Sequence, residues 1–253
     1  MNRKVFIFLC SLFLVIQFDS YSQENKTKIP EPFETNRNGK GVALEIEFQK
    51  GLEHYFPLMA IWIEDTSGNY IHPLYVAESI AKGVFEHGRA EKGKWVKGEK
   101  RIPAALPYWS HKRGKVSEDS IYMPTRDNPL PDAYTGATPE SSFILHTKTN
   151  EAVGNTFRVL FEVNQSWDWN EYWYNSKFPG NEEYLKSAQP AVVYETVIDL
   201  NESKKEFLME PIGHSHPYGA TGELFEDLST LTTALNIVDK IIVRVGNIDE
   251  NSQ

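Results

Sequence analysis

Cysteine is almost absent from this chain: Cys10 is the only one, and it lies inside an N-terminal apolar run. Disulfides, thiol nucleophiles and thiolate metal ligands are thereby excluded from everything that follows that run. Runs of basic residues are missing as well. The sequence has 26 basic and 35 acidic residues, and removing Arg3, Lys4 and Asp19 with an N-terminal signal leaves 24 and 34, a formal charge of −10. No basic stripe stands against that balance, so neither nucleic acid nor an anionic membrane surface is an expected partner. Catalytic fingerprints are absent too. The chain has no G-x-S-x-G elbow, phosphate-binding loop, dinucleotide glycine motif, H-E-x-x-H or EF-hand loop.

What is present begins with an export signal. Arg3 and Lys4 precede a nearly unbroken apolar run from Val5 to Phe18, and Ser20-Tyr21-Ser22 offers a small-x-small cleavage pattern. Residues 1–22 therefore read as a signal peptide, with an uncleaved anchor as the other reading. The run is short for a transmembrane helix, so no membrane insertion is expected after cleavage. Residues 23–41 are polar and proline-dotted and read as a flexible leader. About 230 residues remain, enough for a core that needs no disulfide.

Residues 42–253 read as a single domain. Val42, Leu44, Ile46 and Phe48 alternate with polar residues, as in a half-buried strand. Residues 57–65 and 70–76 form a hairpin about Thr66-Ser67-Gly68-Asn69. From 77 to 139 the pattern weakens. Scattered glycines and six prolines between 101 and 139 predict a long irregular insertion, a kind of loop that is uncommon unless functional or disordered. Strands resume at 141–147, 156–165, 191–200, 206–211 and 240–246, and residues 225–237 read as a short C-terminal helix. The expected fold is mainly β, an antiparallel β-sandwich with a long loop insertion.

The most particular stretch is Asp132-Ala133-Tyr134-Thr135-Gly136-Ala137-Thr138-Pro139, at the end of the insertion. One reading is a turn, with Gly136 at positive φ and Pro139 as terminator. Another starts from Thr138, a hydroxyl among residues with little bulk, which another enzyme's active site can approach. The stretch resembles the flavinylation motif of FMN-binding subunits of bacterial redox pumps, in which a flavin transferase esterifies FMN to the last Thr or Ser. The resemblance implies Thr138 as acceptor, with Asp132, Thr135, Gly136 and Ala137 completing the motif; Tyr134 stands where a small aliphatic residue is usual.

A second resemblance covers about half the chain beyond the leader: Met59 to Asp65, Trp109 with Lys112-Arg113-Gly114, Asp132 to Pro139, and Phe157 to Glu162. It is to an uncharacterised family of predicted periplasmic β-rich proteins, often encoded near flavin transferases and PepSY-type membrane reductases. It implies a periplasmic or secreted Ig-like β-sandwich linked to flavin electron transfer, with the transferase and a membrane redox protein as partners. Tyr134 and Trp109 are then candidates for stacking on the flavin, and His111, Lys112, Arg113 and Arg126 for its phosphate or reduced ring.

Two other clusters are candidates for binding. Trp167-Asp168-Trp169-Asn170-Glu171-Tyr172-Trp173-Tyr174 suggests an aromatic platform for a sugar or peptide, with Asp168, Asn170 and Glu171 as acceptors; packing of these aromatics on the rim of a sheet is the plainer reading. His214 and His216, at i and i+2 on a loop, would ligate a metal if a third ligand converged on them. Together these readings favour an exported, non-catalytic protein of a flavin-linked redox or envelope system, with a carbohydrate- or peptide-binding module as the alternative.

Overall fold

The computed structural model describes residues 30–246. The signal peptide, residues 23–29 of the leader and the last seven residues lie outside them. Two sheets face each other. The first has the order β1 (Glu31–Glu34), β8 (Phe143–Lys148), β2 (Ala43–Lys50), β13 (Val238–Val245), β11 (Glu206–Leu208). The second runs β12 (Glu210–His214), β10 (Val192–Asp199), β9 (Thr156–Asn164), β3 (Leu58–Glu64), β4 (Tyr70–Ala77), β7 (Thr135–Gly136). This is the expected β-sandwich. Its pairings are antiparallel except at two edges, β1 with β8 and β4 with β7.

Side-chain alternation builds the space between the sheets. Leu44, Ile46 and Phe48 of β2 point inward beside Phe143 and Leu145 of β8, and meet Met59, Ile61, Ile63, Phe157, Phe161 and Val163 from the other sheet. Phe48 stacks on Phe143 at 4.8 Å. Each such buried side chain stabilises the fold by roughly 1.5–3 kcal/mol.

β3 behaves differently, because all seven of its residues are buried. A strand buried on both faces needs cover on its outer side. Residues 77–139 supply that cover. Ile80 and Ala81 of α1 (Glu78–Lys82), Leu106, Tyr108 and Trp109 around α2 (Pro107–Lys112), and Met123 and Leu130 pack with Trp62, Leu160 and Val193 in a second apolar cluster. The insertion expected to be irregular is thus a third layer. Pro107 opens α2, where its fixed φ and missing N–H are tolerated.

Several other expectations need correction. Residues 31–36, placed in the flexible leader, are structured. Phe33 packs on Tyr75 and Phe143, and the buried Thr35 hydroxyl donates to Leu74 O at 2.7 Å. Within the insertion, residues 84–99 form a hairpin, β5 (Val84–Glu91) and β6 (Lys94–Glu99). Its turn places Lys92 and Gly93 at positive φ, the geometry that closes a two-residue hairpin. Only Thr233–Asn236 of residues 225–237 is helical, as one 3₁₀ turn. Thr230, Thr232 and Thr233 spend their side chains or carbonyls on Asn170, Asp168 and Gln189 instead of continuing a helix. A short helix, α3 (Glu182–Ser187), forms where none was expected, capped by the Asn181 side chain.

Candidate functional site

Asp132 to Pro139 crosses the edge of the six-stranded sheet. A 3₁₀ turn at Asp132–Tyr134 leads into β7, which pairs in parallel with the end of β4, Thr135 beside Val76 and Gly136 beside Ala77. Gly136 is not at positive φ. Its requirement is steric: a Cβ there would lie 3.2 Å from Cε2 of Tyr75. The Tyr75 hydroxyl, whose pKa burial drives well above that of a free tyrosine, donates to Ala137 O at 2.8 Å. Asn36 N–H donates to Ala133 O at 2.7 Å, the Tyr134 hydroxyl to Asn150 Oδ1 at 2.6 Å, and the His54 ring meets Pro139 O at 3.1 Å. The stretch is therefore a pinned edge segment and not a free turn.

Thr138 is half-buried at the wall of a cleft of about 290 Å³, also lined by Glu78, Ser79, Lys82, Val84, Glu86 and Lys97. Two cations face that space. Lys82 bonds Glu78 at 2.9 Å and Asp132 at 3.1 Å, and Lys97 bonds Glu86 at 2.8 Å. These pairs are exposed, so each contributes little stability and is open to competition from another anion.

The remaining flavin candidates do not join this cleft. Trp109 is fully buried against the outer face of the sheet, so its ring cannot stack on a ligand at Thr138. His111 faces Pro107 O at 2.8 Å and stacks on Tyr122. Arg113 donates to Tyr122 O at 2.7 Å and lies over Trp109. Lys112 donates to Gly68 O, and Arg126 pairs with Glu99. All four hold the third layer in place. Tyr134 alone shares the motif's own segment.

The aromatic platform of 167–174 is not assembled as expected. Trp173 is buried and Trp169 packs edge-on against Tyr184, while Trp167, Tyr172 and Tyr174 point outward. Asp168 bonds Thr233, and Asn170 donates to Gln189 Oε1, Thr230 O and Thr232 Oγ1. Glu171 alone of the expected acceptors remains exposed. The histidine pair fails as a metal site. His214 is buried and stacked on Phe225, His216 Nδ1 receives the N–H groups of Tyr218 and Ala220, and no three His, Cys, Asp or Glu converge among the described residues.

Sequence reasoning missed a buried polar array on the outer face of the sheet. Glu162 of β9 accepts Tyr108 N–H at 3.2 Å and Trp109 N–H at 2.7 Å, satisfying the first turn of α2 from another element. Burial pushes its carboxyl up to about 8, with those two N–H groups working in the opposite direction. Glu64, also buried, accepts the Trp62 indole N–H at 2.9 Å and Arg158 at 2.8 Å, and Arg158 continues to Glu195. The signal lay in β9, where Arg158, Leu160 and Glu162 alternate with the inward apolar set. A glutamate amid a strand this apolar marks a second covered face.

Comparison with protein-family models, curated proteins and solved structures finds no match to this chain.

Proposed function

We propose that this is an exported, non-catalytic protein of a periplasmic flavin-linked redox or envelope system, and that Thr138 accepts FMN as a covalent phosphoester from a flavin dinucleotide, the Thr138 Oγ–P bond forming as the donor's phosphoanhydride bond breaks and the nucleoside monophosphate leaves. The observation that carries this is the setting of Thr138. A hydroxyl on a rigid, low-bulk edge segment stands at the wall of a cleft that also holds Lys82 and Lys97. Those ammonium groups would meet the phosphate, exchanging their exposed carboxylate partners for it. Gly136 and Ala137 leave the backbone open to a transferase, while Tyr75 keeps the segment extended. FMN, once attached, would supply the electron-transfer chemistry. A flavin transferase and a membrane redox protein would be the partners.

The test is the intact mass and visible spectrum of the protein co-expressed with a flavin transferase. The expected result is a mass increase of one FMN phosphoester with flavin absorbance. Both should be lost in Thr138→Ala and kept in Thr138→Ser. An unmodified, colourless wild-type chain under those conditions refutes the proposal.

A further inference from the structure

The loop between β2 and β3 and the loop after β9 meet at one end of the sandwich, where the Tyr55 N–H donates to the Gln165 side chain at 2.9 Å. Large apolar side chains stand out into solvent there: Leu52 is 92% exposed, Tyr55 58%, Phe56 75% and Trp167 70%. Isolated exposed apolar residues are ordinary, but several grouped on two tied loops mark an interaction surface.

Trp167 adds a second and independent observation. Its backbone sits at φ +63°, the left-handed region that bulky L residues avoid. The surrounding loop is clamped to hold it there. Trp167 N–H donates to Lys186 O at 3.2 Å, Asp168 bonds Thr233, and Asn170 bonds Thr230, Thr232 and Gln189. The polar contacts around it and the strained backbone thus present a largely exposed indole. Strain held in place by surrounding structure is a mark of a pre-organised site.

We infer that this end binds an uncharged polysaccharide, with Trp167, Tyr55 and Phe56 stacking on its sugar rings. The charges select that occupant. Glu53, Asp168 and Glu171 are the acids on these two loops, and the single lysine, Lys177, is held over the Trp173 ring at 4.2 Å and donates to Tyr172 O. Acids beside aromatic faces accept hydroxyl donors and repel anionic lipid, acidic glycans and a second copy of a chain whose own charge is −9. A peptide added as a strand would need an open sheet edge, and those edges lie elsewhere, at β1, β11, β12 and β7. This site is separate from Thr138 and does not depend on it.

The experiment is native affinity electrophoresis of the full chain without its signal peptide through gels containing hydroxyethyl cellulose, xyloglucan or galactomannan, with alginate as the anionic comparison. Retardation by at least one neutral polymer is expected, and none by alginate. Trp167→Ala and Phe56→Ala should each weaken it about tenfold or more, the loss of one stacking contact, and Thr138→Ala should leave it unchanged. Trp167→Gly separates function from structure: it should abolish retardation while raising Tm by about 2–4 °C, because glycine accepts positive φ without strain. Migration unaffected by every neutral polymer overturns the inference. So does retardation that survives Trp167→Ala, or a patch-dependent response to alginate, phospholipid vesicles, peptides or self-association in place of the neutral polymers.

Discussion

Replacing Glu162 with glutamine should change how stability depends on pH, in a direction opposite to that of most carboxylates. Glu162 has no exposed surface, and its carboxyl rises from 4.5 to about 8. The folded protein therefore keeps a proton that the unfolded chain releases. The stability this confers is complete below about pH 4.5 and is lost as pH rises through 8. The slope is up to about 1.4 kcal/mol per pH unit, so the full excursion is on the order of 5 kcal/mol. Buried histidines act the other way. His54, His72 and His214 are lowered by burial, so their contribution is lost as pH falls below the usual histidine range. The wild-type curve alone mixes these terms, and the difference between wild type and Glu162→Gln isolates the carboxyl. Glutamine keeps one acceptor but turns an NH2 toward one of the Tyr108 and Trp109 amides. At pH 5 the variant should be less stable by about 1–3 kcal/mol. Its deficit should shrink with each unit of pH and reverse by pH 8. Urea unfolding followed by tryptophan fluorescence at pH 5, 6, 7 and 8 measures this. A deficit that stays constant or widens toward alkaline pH would refute the reasoning.

Other perturbations have definite outcomes. Arg158→Ala removes the nearest cation from the buried Glu64, leaving Lys112 at 3.5 Å, and should cost about 3–5 kcal/mol in urea unfolding. Tyr75→Phe deletes the donor to Ala137 O and should cost about 1 kcal/mol, with faster proteolytic cleavage between residues 135 and 139. Gly136→Ala presses a methyl onto the Tyr75 ring and should cost about 1–3 kcal/mol; a stability gain, expected if the site were an unconstrained turn, would contradict the packing described. Acidification from pH 7 to 5 in the Glu162→Gln background should lower Tm, because burial makes His54, His72 and His214 bind protons less readily folded than unfolded.

The sequence by itself determined the class of the fold. Leu44, Ile46 and Phe48, and Phe157, Val159, Phe161 and Val163, alternate with a period of two, and that pattern can be satisfied only by sheets that bury one face. It also singled out Asp132 to Pro139, because small residues around a glycine are rare enough to notice. Tertiary structure decided the rest. Whether Trp109 is a stacking surface or a core residue depends on whether 77–139 lies over the sheet, and the apolar residues of that segment are too scattered to show a period. Ile80, Leu106, Trp109, Met123 and Leu130 come together only once β3 offers Trp62 as a platform. Gly136 needed a glycine because of Tyr75, sixty-one residues earlier in the chain, not because of its own φ. In the run from 167 to 174, alternate aromatics pointed to one platform. The turn built by Asn170 instead sends Trp173 inward and leaves Trp167 exposed. Periodicity reports which face a residue belongs to within its own element. Which element covers that face is set by contacts between residues far apart in the chain, and local pattern carries no record of them.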